Sequence, residues 1–95
     1  MSTWSVYLVR SANNALYCGI STNPQRRLSE HQSKPQGAKA LKGKGPLSLV
    51  FSAEVGDRSQ ASKVEYQLKR LHKTSKEKLV AEPALFPEYL HKWLD

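Results

Sequence analysis

The sequence predicts an α+β fold in which a small three-stranded antiparallel sheet is flanked by helices, in the order β-β-α-β-α-α with one more short helix at the C-terminus. Two segments rich in aromatic and β-branched residues, 4–10 (WSVYLVR) and 15–21 (ALYCGIS), are separated by an Asn-containing turn, which is typical of a β-hairpin. A third such segment, 47–55 (LSLVFSAEV), comes later, and residues 59–72 repeat apolar positions at helical spacing. Strands and helices combined around one small sheet in this way indicate α+β architecture.

The composition indicates one basic domain that spans residues 1–95. A chain of 95 residues can build one hydrophobic core but not two. Fifteen Lys and Arg against eight Asp and Glu give a net charge of +7. This excess favours a polyanionic partner, and nucleic acid is the commonest one. Charge alone does not separate DNA from RNA, or either from an anionic membrane surface.

The sequence favours a protein of a reducing compartment. Cys18 is the only cysteine, so an intrachain disulfide is excluded, and the thiol is expected to act as a small core hydrophobe. No apolar run approaches the roughly 20 residues of a membrane span. The first residues lack the basic start and apolar stretch of a signal peptide. We therefore expect a soluble, cytoplasmic protein with no membrane partner.

The first two strands are expected to pair across a turn near residues 11–14, where Asn tolerates a positive φ. If the loop has three residues, Arg10 faces Asn14 and Tyr7 falls directly opposite Tyr17. Alternation along the strands divides their side chains between two faces. One face carries Tyr7, Tyr17 and Gly19, and the other carries Val6, Leu8, Cys18 and Ile20.

A first helix is predicted over residues 24–33. Asn23 is a favourable N-cap residue, and Pro24 is favourable as the first helical residue. Arg27 and His31 are four residues apart, so they share one face of this helix. The alternatives are a solvated Arg27 and a His31 that stabilises the helix C-terminus as a cation.

A basic loop is predicted over residues 34–46, which contain four Lys, three Gly and two Pro but no acidic residue. Clustered cations of this kind favour phosphate contacts, although a merely solvated loop is the alternative. Together with two helical residues, the loop supplies the expected nucleic-acid-binding set. The set is Arg26, Lys34, Lys39, Lys42, Lys44 and Lys69.

The second long helix is predicted to begin with a capping box. Asp57 and Gln60 have the spacing in which each side chain bonds the backbone N–H of the other. The helix over 59–72 then places one apolar stripe toward the core. The stripe is Ala61, Val64, Leu68 and Leu71.

Two shorter helices complete the predicted chain. Residues 74–77 (TSKE) form a second capping-box pattern, which opens a helix to about Val80. A last helix is predicted to begin near Pro87. Its apolar side would carry Tyr89, Leu90, Trp93 and Leu94.

Five motif positions in order resemble those of the GIY-YIG nuclease superfamily, in particular its short single-domain YhbQ-like branch. Val6-Tyr7-Leu8 and Tyr17-Cys18-Gly19 resemble the paired motif for which the family is named. Arg27 and His31 stand in the register of the family's first helix, and Glu65 stands in its second long helix. The ordered set is specific, whereas each tripeptide alone is not.

The resemblance implies that the protein is a metal-dependent endonuclease that hydrolyses phosphodiester bonds in DNA. Glu65 would hold Mg²⁺ (or Mn²⁺), which commonly takes only one or two protein carboxylates beside phosphates and water. Arg27 would bind the scissile phosphate with its guanidinium group. An ion pair between Glu65 and Lys69, four residues on, is the alternative interpretation of that carboxylate.

The same resemblance assigns roles to the hairpin residues. Tyr7 would accept a proton from the attacking water, or pass that proton on to a second group such as His31. Tyr17 and His31 would orient water and phosphate, and Gly19 would let the DNA backbone approach closely. The alternative for Tyr7 and Tyr17 is a cross-strand aromatic pair that only stabilises the hairpin.

The substrate expected from this resemblance is DNA recognised by its structure and not by its sequence. The resemblance covers about residues 4–80, so residues 81–95 form a C-terminal helical extension too short for a separate reading domain. A domain of this size is expected to select branched, nicked or single-stranded DNA, as met in repair or processing, or to be targeted to DNA by a protein partner. The tripeptides are degenerate, and no Asn occurs from Arg70 to Val80, where many relatives carry one. These departures support the alternative of a nucleic-acid-binding module with little or no turnover.

Overall fold

Three antiparallel strands form one sheet in the order β2-β1-β3, so the first strand lies in the middle. The structure is a computed structural model that describes residues 3–33 and 47–94, with the backbone alone for 31–33. The strands are β1 (Trp4–Arg10), β2 (Leu16–Ser21) and β3 (Ser48–Gly56). Helices cover both faces, and the predicted α+β class is confirmed.

The hairpin between β1 and β2 has a longer loop than the three residues considered from the sequence. Arg10 pairs with Leu16, and Tyr7 lies opposite Gly19, so the expected pairing of Tyr7 with Tyr17 is wrong. The loop closes through a hydrogen bond from the backbone N–H of Ser11 to the carbonyl of Ala15, at 3.0 Å. The register moves by two residues, which preserves the predicted division of side chains between the two faces.

Arg10 still meets the turn, but through its side chain. Its guanidinium donates a hydrogen bond of 2.7 Å to Oδ1 of Asn14. Asn14 has a φ of 68°, a left-handed conformation that Asn adopts more readily than most residues. The Asn-rich segment therefore forms a turn as predicted, with two more residues in the loop.

Helix α1 (Pro24–Ser33) covers one face of the sheet. Its Leu28 is buried in a cluster with Tyr7, Val9 and Leu47. The predicted N-cap is confirmed, because Oδ1 of Asn23 accepts a hydrogen bond of 3.1 Å from the backbone N–H of Arg26.

Helix α2 (Arg58–Arg70) covers the opposite face of the sheet. Both hydrogen bonds of the predicted capping box are present, Gln60 N–H to Asp57 at 2.8 Å and Asp57 N–H to Gln60 at 3.0 Å. Of the predicted apolar stripe, Leu71 is the C-cap residue and is partly buried against the core. The three fully buried members are Ala61, Val64 and Leu68.

Helix α3 (Lys73–Ala81) begins differently from the prediction. Its N-cap is His72, and no side chain caps it. Glu77, the expected capping partner, instead accepts two hydrogen bonds of 2.7 and 2.6 Å from the guanidinium of Arg10. The predicted second capping box is therefore wrong, since a charged partner on β1 offers Glu77 a stronger, bidentate contact.

A short 3-10 turn (Pro83–Leu85) leads into α4 (Phe86–Leu94), close to the start predicted near Pro87. The Phe86 ring packs edge-on against Phe51 of β3, with centroids 5.2 Å apart. The predicted apolar residues of α4 all pack against the same core cluster. No helix in the described parts of the chain has the length and apolar character needed to cross a membrane.

Candidate active site

The Tyr7 side chain crosses the edge strand at Gly19. An ideal Cβ built on Gly19 would lie 2.5 Å from the Tyr7 hydroxyl oxygen and 2.6 Å from its Cζ. A real Cβ does not approach another heavy atom this closely, so the phenol occupies the space that a side chain at position 19 would need. Tyr7 is 5% exposed. The glycine is thus required by the tyrosine itself, in addition to any approach of DNA.

Arg27 of α1 meets the Tyr7 phenol from the helix side. Its guanidinium acts on the phenol through its charge and through hydrogen bonding, and both effects lower the pKa of Tyr7. The side chain of Arg27 is 48% exposed, so it also faces solvent. The neighbouring Leu28 is buried against the sheet and fixes the rotation of the helix. One arginine therefore contacts the tyrosine and remains accessible to an anion.

The pKa of Tyr7 is raised above its ordinary value of 10.0, mainly because the phenol is buried. The Arg27 charge and hydrogen bond act in the opposite direction, but burial is the larger effect. Arg27 therefore favours the phenolate but does not outweigh burial. In the free protein, Tyr7 is a protonated phenol.

Glu65 lies on α2, the helix that contacts β2. Its carboxylate raises the pKa of both Tyr7 and Cys18, whose side chains leave the sheet on opposite faces. Glu65 is 24% exposed and follows the fully buried Val64. It also forms the expected ion pair with Lys69, at a long distance of 3.6 Å.

The oxygen donor of this site fits a hard divalent cation that binds together with phosphate. Glu65 offers a partly exposed carboxylate whose charge acts on Tyr7. Within residues 3–30 and 47–94, no three His, Cys, Asp or Glu side chains cluster as a metal cage would require. Mg²⁺ often binds through one or two carboxylates and completes its shell with water and substrate phosphates.

Glu30 is a site residue that the sequence interpretation did not single out. Its carboxylate lies 3.4 Å from Nη1 of Arg27 and 3.6 Å from Nε of Arg26. The sequence spacing could have indicated these contacts, because residues three and four apart on a helix are neighbours. Glu30 thus competes with any phosphate for the same guanidinium groups.

A cavity of about 390 Å³ opens beside Arg27, and three of its lining residues are arginines. The arginines are Arg26, Arg27 and Arg58, and Trp4 and Glu30 are among the other lining residues. Arg58 lies over the Trp4 ring, 5.5 Å from its centroid. Arg58 also escaped the sequence interpretation, since only the fold brings the start of α2 next to α1.

Of the remaining predicted site residues, some lie within the part of the chain that the structure describes and others lie outside it. Tyr17 lies opposite Val9 and packs against the cluster that holds Tyr7. Arg26 and Lys69 are exposed, as expected for phosphate contacts. His31 has a described backbone in α1, but its side chain lies outside the described residues. So do the loop residues Lys34, Lys39, Lys42 and Lys44.

Comparison with known proteins gives consistent matches in sequence and structure. Residues 3–78 match the family model described as the GIY-YIG catalytic domain. The UPF0213 protein YhbQ of Escherichia coli K12 is 58% identical over 90 residues, which cover 95% of this chain and 89% of that protein. YhbQ of E. coli O6:H1 is 57% identical over the same coverage.

Two solved structures have the same arrangement of elements. The solution NMR structure of protein EF2693 from E. faecalis superposes with a TM-score of 0.61 at 30% identity, covering 90% of each chain. The solution NMR structure of the UPF0213 protein BH0048 from Bacillus halodurans gives 0.53 at 33% identity, covering 83% of each chain.

Proposed function

Because this chain belongs to the GIY-YIG catalytic domain family, we propose that it is a metal-dependent endonuclease that hydrolyses phosphodiester bonds in DNA. The family supports a nuclease-like role. The dependence on Mg²⁺ or Mn²⁺, the choice of DNA and the role of each residue belong to the proposal. DNA structure, and not sequence, is the expected basis of selection, in repair or processing.

The observation that carries the proposal is that charged groups from two other elements act on the Tyr7 phenol. The Tyr7 phenol comes from β1, the Arg27 guanidinium from α1 and the Glu65 carboxylate from α2. Tyr7 interacts electrostatically with both of the others. A core tyrosine needs neither neighbour, whereas hydrolysis of a phosphodiester needs a proton acceptor, a cation for the phosphate and a metal ligand.

Each group has a distinct part in the proposed reaction. The forked N–H donors of Arg27 bind two oxygens of the scissile phosphate and stabilise the charge that grows during attack. Glu65 would hold a divalent cation, which when bound supplies further neutralisation of the phosphate charge. The Tyr7 oxygen takes or relays the proton of the attacking water.

The protonated state of Tyr7 favours the second of these proton roles, the relay. A phenol with a raised pKa holds its proton at neutral pH, so it accepts another only after losing the first. Binding of the substrate phosphate to Arg27 would weaken the effect by which Arg27 lowers the pKa of Tyr7. Transfer of the proton through the phenol to His31, one turn beyond Arg27 on α1, removes that difficulty.

A cleavage panel tests the proposal. Branched, nicked, single-stranded and fully paired DNA are incubated with the protein, with and without Mg²⁺ or Mn²⁺. We expect metal-dependent products that Glu65→Ala and Arg27→Ala each abolish. Glu54→Gln and Lys92→Ala are the controls, since each removes one exposed charge from a position outside the site. Thermal melting confirms that every variant is folded.

The raised pKa of Tyr7 and the ion pairs of Arg27 and Glu65 favour a second candidate, a nucleic-acid-binding module with little turnover. In that case these groups are partnered within the protein and do no chemistry. The same panel separates the two candidates. Binding that survives Glu65→Ala and Arg27→Ala, without product at any metal concentration, supports the module.

A further inference from the structure

The outward face of α2 carries an aromatic residue that does not pack in the core. Tyr66 is 61% exposed, and it is the large hydrophobic residue that stands out as exposed in the described part of the chain. The guanidinium of Arg70 lies over its ring, 5.5 Å from the centroid. Positions 58, 62, 66 and 70 are four apart, so Arg58, Tyr66 and Arg70 lie along one line of the helix.

Beside this line runs an open groove between α2 and α4, with a volume of about 890 Å³. Tyr66 and Trp93 supply its aromatic surface, and Arg58 and Lys63 supply its charge. The other lining residues are uncharged Ser and Gln, so no acidic side chain is among the described residues that form it. A cationic groove with interleaved aromatic rings is complementary to single-stranded nucleic acid.

The groove and the cavity of the candidate active site share one lining residue. Arg58 lines both this groove and the cavity that contains Arg27. Trp4, against which Arg58 is held, extends the aromatic surface into that cavity. A strand that leaves the phosphate at Arg27 can therefore follow Arg58 onto the outward face of α2.

We propose that this groove, from Arg58 to Tyr66, binds a single-stranded segment of the DNA substrate next to the cut, with a base stacked on Tyr66. The inference rests on the proposed function, because Arg27 marks the phosphate from which the segment leaves. Eight residues of helix at 1.5 Å each span about 12 Å, which matches roughly three to four stacked nucleotides at about 3.4 Å. In a duplex the base faces are covered by their neighbours, so an accessible ring favours an unpaired strand.

Binding without added metal tests the groove separately from the chemistry. A labelled duplex with an overhang of about four nucleotides, in either polarity, is compared with a blunt duplex of equal nucleotide number by fluorescence anisotropy in EDTA. We expect the wild type to prefer one overhang duplex about tenfold, the size of one stacked base. Tyr66→Ala should remove this preference, and Tyr66→Phe should keep it.

Several results would overturn the inference. One is a wild type that binds blunt and overhang duplexes equally, and another is a Tyr66→Ala variant with its preference intact. If polyglutamate displaces the labelled DNA as effectively as an unlabelled single strand does, the groove is a binding site for acidic proteins. Tyr89→Phe, a partly buried tyrosine of α4 that does not line the groove, is the matched control.

The two proposals fail in different ways. A protein that cleaves DNA in a metal-dependent manner but shows no role for Tyr66 keeps the proposed function and loses the groove. A protein that yields no product, while Tyr66→Ala still abolishes its preference for the overhang, keeps the groove as a binding surface and loses the nuclease.

Discussion

Tyr7 lies across the backbone of Gly19, so close that a Cβ on Gly19 would overlap the phenol. Tyr7 belongs to the central strand, and Gly19 belongs to the edge strand beside it. The missing side chain lets a residue from the middle of the sheet extend its hydroxyl toward the edge. The charges of Arg27 and Glu65 both act on this phenol.

Gly19→Ala should destabilise the protein and lower cleavage together. The new methyl group must displace the Tyr7 ring, and overpacking of this kind costs about 1–3 kcal/mol. We expect a fall of about 100-fold in cleavage, because the phenol moves away from the site. Urea unfolding and single-turnover cleavage measure the two effects.

A double-variant cycle checks the cause. In a Tyr7→Leu background the same Gly19→Ala change should cost much less free energy of unfolding, since no ring occupies the space. An equal cost in both backgrounds would show that the methyl group clashes with something other than Tyr7.

The pH profile of cleavage should report on Tyr7. If its phenolate is the base, the rate rises with pH and does not level off below the ordinary tyrosine pKa of 10.0, because burial raises the pKa of Tyr7. Arg27→Met should raise the pKa of Tyr7 further, since Arg27 lowers it. NMR titration of ring-labelled tyrosine, assigned with Tyr7→Phe, follows this group directly. A rate that levels near neutral pH points to His31 or another group as the final proton acceptor.

Glu30→Gln should tighten binding of DNA a few-fold at low salt. The carboxylate pairs with Arg26 and Arg27, and a partly exposed ion pair is worth about 0.2–1 kcal/mol that phosphate must overcome. Glu54→Gln removes an equal charge from an exposed position on β3 and is the control. Anisotropy across a salt series measures the affinity for DNA. If both variants gain the same affinity, the effect comes from net charge alone.

Cys18 should be chemically inert in the folded protein. Burial, and then the Glu65 carboxylate, raise its pKa from 9.0 to about 12, so almost no thiolate is present in mildly alkaline solution. Alkylation by iodoacetamide should be slow and should become fast in urea. Equal rates in both conditions would contradict the burial of this thiol.

The same shift predicts a loss of stability in alkali. A thiol whose pKa is raised on folding stabilises the folded state below pH 9.0, and this contribution is lost as the pH rises toward about 12. The free energy of unfolding should therefore fall less steeply in Cys18→Ala over this range. Parallel curves for the variant and the wild type would show that the thiol titrates alike in both states.

The Arg10–Glu77 pair should link stability to acid pH. The hydrogen bonds from Arg10 lower the pKa of Glu77 below 4.5, so the pair stabilises the fold above that pH and weakens as the pH falls through the lowered value. Glu77→Gln should melt at a lower temperature at neutral pH and lose less on acidification. Glu82→Gln, exposed at the end of α3, controls for the loss of one carboxylate.

Local sequence determined most of the elements and the division of side chains between the sheet faces. The capping box at Asp57 and the N-cap at Asn23 depend on residues three positions apart, so the prediction needed no distant partner. The sequence did not determine the register of the hairpin, because Asn14 can close loops of different length. Alternation along the strands nevertheless kept Tyr7 and Gly19 on the predicted face.

The sequence by itself determined which residue types are available to the site: a tyrosine at 7, a glycine at 19, an arginine at 27 and a glutamate at 65. Tertiary structure alone decided their environment. Burial raises the pKa of Tyr7 against the effect of Arg27, and Glu77 pairs with Arg10 instead of capping its own helix. Such outcomes depend on desolvation and on contacts between residues far apart in the chain, and neither is encoded in the spacing of a motif.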